Sequence, residues 1–148
     1  MLFIKMGIKE VHKWEQTVVK ILNLDGWNLE WSGGGFNHYD AKGYTRKKKE
    51  CVVEMKFRET YYETKLLEKH KHDKLMELDN SLVKLYLVFD PKGMYIFWLD
   101  NIDLPEVEKL NCPDTTLWTK QKTEKLVYLL EESQASYINN ESGFNKCI

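Results

Sequence analysis

The chain has 148 residues, 43% of them hydrophobic and 13% aromatic, with five Trp and eight Tyr; that is one domain's length and far too much buryable side chain for a disordered polymer. The net charge of −1 excludes a uniformly basic nucleic-acid binder, but it averages over a segregation in which residues 1–41 carry −1, residues 42–74 carry +5 and residues 75–148 carry −5, so one face is equipped to meet a polyanion. No stretch reaches the roughly 18 consecutive apolar residues of a membrane helix, and the opening apolar run is too short for a secretory signal, which sets the expectation of a soluble, cytoplasmic protein with no membrane partner.

Between residues 10 and 23, Val11, Trp14, Val18, Val19, Ile21 and Leu22 recur at spacings of three and four, predicting an amphipathic helix. After the Asp25-Gly26 turn, residues 27–31 alternate apolar and polar, as a strand does, and Ser32-Gly33-Gly34-Gly35 ends it. Residues 36–44 and 50–57 read as two further strands separated by the charged run Arg46-Lys47-Lys48-Lys49, giving a meander of three. From Thr60 to Leu78 there is no Gly or Pro, and Tyr62, Leu66, Leu67, His70, Leu75, Met76 and Leu78 form a rough face, predicting a long second helix. Residues 81–89 (SLVKLYLVF) and 94–99 (MYIFWL) are two buried strands joined by the Asp90-Pro91-Lys92-Gly93 turn. Pro105 and Pro113 bracket a loop with one short helical turn, residues 119–132 predict a third helix, and residues 133–148 form a Ser/Asn-rich tail prone to fraying.

The resulting order, α-β-β-β-α-β-β-α, implies an α/β fold in which a mixed central β-sheet is flanked by helices. A single domain spans 1–148, with its core at residues 10–100 and residues 101–148 as a C-terminal extension. Cys51, Cys112 and Cys147 include no close pair, which argues against a disulfide framework or a CxxC zinc site and for reduced thiols.

If segments 36–44 and 50–57 pair as an antiparallel hairpin with its tip near Lys47, residues whose numbers sum to about 94 stand opposite one another. Asp40 then faces Glu54, with Cβ atoms roughly 4.5–5.5 Å apart. Lys56 shares their face while Met55 points away. Opposed like charges destabilise a sheet unless a cation joins them, and the oxygen donors suit a hard divalent ion such as Mg²⁺.

Asp40, then Glu54-Met55-Lys56 at the end of an apolar strand led by Cys51-Val52-Val53, with a helix carrying Glu15 before and a Tyr/Lys-rich helix after, resembles the PD-(D/E)XK nuclease superfamily. Tyr39 stands where the family name has Pro. The resemblance covers residues 10–90 and implies a restriction-endonuclease-like fold and metal-dependent hydrolysis of phosphodiester bonds in DNA. It further implies that Asp40 and Glu54, with the Met55 carbonyl, hold Mg²⁺ or Mn²⁺, while Lys56 positions or deprotonates the attacking water and offsets phosphate charge. Small stand-alone members commonly come from phages and mobile elements, where they act in recombination, packaging or restriction. Cutting both strands with so small a site favours a homodimer.

Glu15 stands at the edge of the first helix's apolar stripe, where a lone carboxylate is costly, and the family often has an acid there. Tyr62, Lys65 and Lys69 fall on one side of the predicted second helix, which makes Lys65 a candidate for the catalytic set and Lys69 for phosphate. Lys42, Arg46, Lys47, Lys48 and Lys49 are the candidates for gripping the nucleic-acid backbone. His38, His70 and His72 lack the spacing of a zinc site, and the Gly-rich turn lacks the Lys-Ser/Thr of a phosphate loop. Two other readings remain open: a DNA-binding or accessory subunit without catalysis, and an assembly protein using its MYIFWL strand.

Overall fold

In the computed structural model, residues 7–33, 37–113, 122–140 and 143–146 are described. Helix α1 (Ile8–Leu24) buries Val18, Val19 and Leu22 and leaves Trp14, Ile21 and Leu24 exposed, as its three-and-four spacing dictates. It stops at Asp25 and Gly26, the glycine at φ +93 supplying the left-handed turn. Strands β1 (Asn28–Trp31), β2 (Ala41–Tyr44) and β3 (Glu50–Phe57) follow as the predicted meander. Its backbones approach so closely at Gly43 that any Cβ would collide with the Asn28 carbonyl.

Strands β4 (Thr64–Glu68), β5 (Val83–Asp90), β6 (Gly93–Trp98), β7 (Glu108–Pro113), β8 (Lys122–Glu131), β9 (Tyr137–Asn140) and β10 (Gly143–Lys146), with helix α2 (Lys69–Met76), complete the described elements. A seven-stranded sheet runs β1-β2-β3-β5-β6-β9-β10 and a three-stranded sheet runs β4-β8-β7. Among the described residues only the β3–β5 pair is parallel. A parallel pair needs a crossover, and here β4 and α2 provide it.

The period of two along β3 and β5 divides the core. Cys51, Val53, Met55, Leu85 and Leu87 face α1, with Ile96 of β6 and Trp27. Val52, Tyr86 and Val88 face the other way, onto Leu67 of β4, Leu75 of α2, and Tyr128 and Leu130 of β8. Tyr95, Ile96 and Phe97 are buried on a strand paired on both sides, so they belong to the core. Cys51 and Cys112 are free and buried; Cys147 lies outside the described residues. Among the described residues no helix is long and apolar enough to cross a membrane.

Four sequence expectations are corrected, the first being the loop with a helical turn between Pro105 and Pro113, where Glu108–Pro113 is β7 paired with β8. The second helix over 60–78 is β4 followed by the short α2, because residues 64–68 complete a sheet with β8. The third helix over 119–132 is β8 from Lys122 onward, its helix-forming Lys, Glu and Leu overridden by pairing to β4 and β7 on both edges. The fraying tail supplies β9, which pairs with β6 and so extends the central sheet.

Tyr62, Lys65 and Lys69 therefore share no helical face. Lys65 sits on β4, 3% exposed, with Nζ 2.6 Å from Asp90 and 3.0 Å from Glu132. It lies over the Tyr61 and Tyr95 rings, while Tyr61 donates its hydroxyl hydrogen bond to Glu132. Asp90 also accepts from the backbone N–H groups of Lys92 and Gly93. One cation thus rivets the small sheet to the β5–β6 turn of the large one. Removing Lys65 leaves the buried Asp90 carboxylate without its cation, so Lys65→Met should cost about 3–5 kcal/mol in chemical denaturation. The double replacement Lys65→Met/Asp90→Leu should recover part of that stability, and a single variant as stable as wild type would show that the pair does not hold the sheets together.

Candidate active site

Backbone pairing sets the geometry. Ala41 opposes Val53, Lys42 opposes Val52 and Gly43 opposes Cys51, so the hairpin register places Asp40 against Glu54. The Asp40 N–H donates to the Val53 carbonyl at 2.8 Å, and the Met55 N–H donates to Asp40 Oδ2 at 2.8 Å. Met55 thus aims the Asp40 carboxylate through its backbone while its own side chain is buried against α1.

Glu15 arrives from α1, on the far side of the sheet, and meets Asp40 where β1 ends. Its Oε1 accepts from the Trp31 indole at 3.2 Å, and Asp40 lies within hydrogen-bonding reach of both Glu15 and Glu54. The Ser32 N–H donates to the Asp40 carbonyl at 2.8 Å. At Gly33 a Cβ would come within 2.9 Å of Glu15 Oε1 and 2.7 Å of the Trp31 indole nitrogen, so a side chain there would push on both groups. Glu15 and Glu54 are both buried, at 4% and 7% exposed.

The electrostatics follow from crowding. Burial, then the Asp40 charge, pushes Glu15 up to about 7. The same two causes push Glu54 up to about 7, opposed by Lys71. Asp40 is held above the ordinary carboxylate range, by burial first, against the Met55 N–H and Lys71. Lys71 of α2 donates to Glu54 Oε1 at 3.0 Å, and although burial opposes it, Glu54 and Asp40 hold its ammonium above the ordinary lysine range. Lys56, beside Glu54 on the same face, is lowered by burial and by Arg58.

Among the described residues no three His, Cys, Asp or Glu side chains form a preformed metal cage. The donors nonetheless fit a hard ion. Mg²⁺ binds through one or two carboxylates and keeps water in its other positions, and Asp40 and Glu54 provide two acids whose mutual repulsion a cation would relieve. The Ser32 hydroxyl, buried and without a hydrogen-bond partner among the described residues, adds an unspent oxygen in the turn bound to Asp40.

Of the residues singled out in the sequence, Glu15, Asp40, Glu54 and Lys56 meet here. Lys65 does not, being spent on Asp90 and Glu132. Lys69 opens α2 and pairs with Asp73 at 2.5 Å. At the hairpin tip Arg46 reaches Asp25 at 3.8 Å and Lys49 lies over the Trp98 ring, while Lys42, Lys47 and Lys48 are exposed. Sequence reading missed Lys71, and with it Arg58 and Glu68, which line the cleft over Glu54 and Lys56. Lys71 lies 17 residues beyond Glu54, and only the break from β4 into α2 turns it toward the acids, so no periodicity announces it.

The fold and this cluster together define a mixed α/β protein of restriction-endonuclease-like architecture, with acids and lysines gathered at the end of a β-hairpin. No protein-family model and no curated protein sequence matches the chain. Among solved structures it is similar to Hjc, a Holliday junction resolvase from the archaeal hyperthermophile Archaeoglobus fulgidus. The TM-score is 0.58 at 13% identity, over 88% of this chain and 90% of that one. At that identity the likeness shows the fold.

Because folding raises Glu15 and Glu54, the folded state favours their protonated forms. Their contribution to stability is full below pH 4.5 and is lost as pH rises through about 7. In the absence of divalent ions the melting temperature should therefore fall across that window more steeply in wild type than in Glu54→Gln. Identical slopes would mean that Glu54 ionises at no cost in the folded protein.

Proposed function

We propose that the chain is a metal-dependent nuclease of the PD-(D/E)XK superfamily that hydrolyses phosphodiester bonds in DNA. The observation that carries this reading is the convergence of Glu15, Asp40, Glu54 and Lys56 at one hairpin end, on a fold shared with a resolvase. In this reading Asp40 and Glu54, with the Met55 carbonyl, hold Mg²⁺ or Mn²⁺, and Glu15 completes the acidic wall. The ion, once bound, supplies a water that ionises near neutral pH and positive charge against the phosphate. Lys56, its proton loosened by burial, takes a proton from that water or balances charge growing on the scissile phosphate. Lys71 balances the charge of Glu54. The solved structure of similar fold acts on Holliday junctions, which makes a four-way DNA junction the first substrate to try beside linear duplex.

Glu54→Ala and Lys56→Ala should each abolish cleavage of junction or plasmid DNA while the protein stays folded by circular dichroism. Mg²⁺ and Mn²⁺ should support cleavage, and chelators should stop it. Ca²⁺, larger and looser in coordination, should permit binding with little turnover. Activity surviving in both variants, or undiminished in excess EDTA, would dismiss the mechanism. DNA binding without cleavage under any metal would leave the accessory-subunit reading.

A further inference from the structure

Beside the acidic cluster, between α2 and β8, lies an open groove of about 620 Å³ walled by Lys69, Lys71, Asp73, Glu68 and Lys125. Lys71 and Glu68 also line the cleft over Glu54 and Lys56, so groove and site form one continuous surface. Of the groove's three cations, Lys69 and Lys71 come from α2 of the crossover and Lys125 from β8 of the small sheet. Each is tethered to a carboxylate: Lys69 to Asp73 at 2.5 Å, Lys71 to Glu54 at 3.0 Å, and Lys125 to Glu68 at 2.7 Å. Lys69 and Lys71 keep 36% and 43% of their side chains open to solvent. The Lys69–Asp73 pair is open to solvent at both ends, and such pairs are weak and readily exchanged; Lys71 keeps part of its side chain open although its partner Glu54 is buried, so both ammonium groups are held in position within reach of a phosphate.

The hairpin tip is arranged differently. Arg46 is turned back onto Asp25, Lys49 is laid over Trp98, and Lys47 is seven residues from Asp40, roughly 20 Å at about 3.3 Å per residue.

Resting on the nuclease reading above, we propose that the DNA backbone lies along the α2–β8 groove, with Lys69, Lys71 and Lys125 on its phosphates in place of their carboxylate partners. A phosphate that draws Lys71 away also frees the Glu54 oxygen it covers, so seating the backbone in the groove and readying the acidic site are one event. Lys125 belongs to the last third of the chain, so a strand outside the hairpin and α1 takes part in substrate recognition. The acids in the groove compete with phosphate, which gives the arrangement a signature that a solvated charged surface lacks: removing a cation weakens binding, and removing its tethering carboxylate strengthens it.

The test is anisotropy of a fluorescein-labelled DNA duplex in Ca²⁺ over a salt series, with wild type, Lys69→Ala, Lys69→Ala/Lys125→Ala, Asp73→Asn, and a tip variant with Ser at 46–49. Each lysine taken off a phosphate should weaken binding about eightfold at about 0.1 M salt and lower the slope of log K against log salt by about 0.9. Asp73→Asn should bind more tightly than wild type, and the tip variant should change less than the groove double variant. Lys69 and Asp73 are surface residues, so Lys69→Ala and Asp73→Asn decide the matter even if the double variant folds poorly. Groove variants that bind as wild type does, or an Asp73→Asn that binds no tighter, overturn the groove assignment while cleavage by wild type leaves the nuclease reading standing. A wild type that binds neither duplex nor four-way junction at any salt, and cleaves neither with Mg²⁺ or Mn²⁺, removes both.

Discussion

Two carboxylates opposed across an antiparallel ladder repel one another, and the rest of this structure is arranged around keeping Asp40 and Glu54 in that position. The ladder allows them no escape. Slipping the β2–β3 register by one residue would turn Val52 and Val53 to the wrong faces, and both are fully buried, so the hydrophobic core enforces the electrostatic strain. The Met55 N–H locks one Asp40 oxygen, Lys71 covers Glu54, and Glu15 adds a third acid from the opposite side of the sheet. Such crowding is costly in a protein built only to be stable, and pairs of acids with displaced pKa values are the usual mark of a site that uses them.

The two faces of the central sheet have different chemistry for the same reason. The face under α1 is packed with aliphatic and aromatic side chains and fixes the position of the strands. The other face carries Glu54, Lys56 and Lys84 among its apolar residues, and it is covered by α2 and the small sheet, whose own ionic groups answer them. Lys84, fully buried on β5, donates to the Asp79 carbonyl and lies 3.7 Å from Asp100. Lys65 is matched by Asp90 and Glu132. Buried charges survive only when paired, and the Lys65–Asp90 pair ties β4 of the small sheet to β5 of the main one. The cleft over Glu54 and the groove beside it exist because α2 lies alongside the acids.

Legibility in the sequence followed the range of the forces involved. Helix α1, the β1–β2–β3 meander and the β5–β6 pair were readable because each repeats its burial pattern within a few residues, and the Asp40–Glu54 opposition followed from the length of one hairpin. The segments read wrongly were those whose state depends on a distant partner. Residues 64–68 and 122–131 carry good helix formers, but each becomes a strand because the other is there to pair with it, and intrinsic propensity yields to such tertiary pairing. Lys65 read as a candidate for the catalytic set because nothing near it in sequence announces Asp90 and Glu132.

The amino-acid sequence by itself thus determined the hairpin, its register and the chemical identity of the acids and lysine at its end, since those depend on local alternation and turn length. Only the tertiary structure decided that Lys71, not Lys65, stands against Glu54, and that the last third of the chain extends the central sheet and walls a groove beside the site. Those outcomes are set by pairing between segments far apart in the chain, such as Glu68 and Lys125, which no local periodicity encodes.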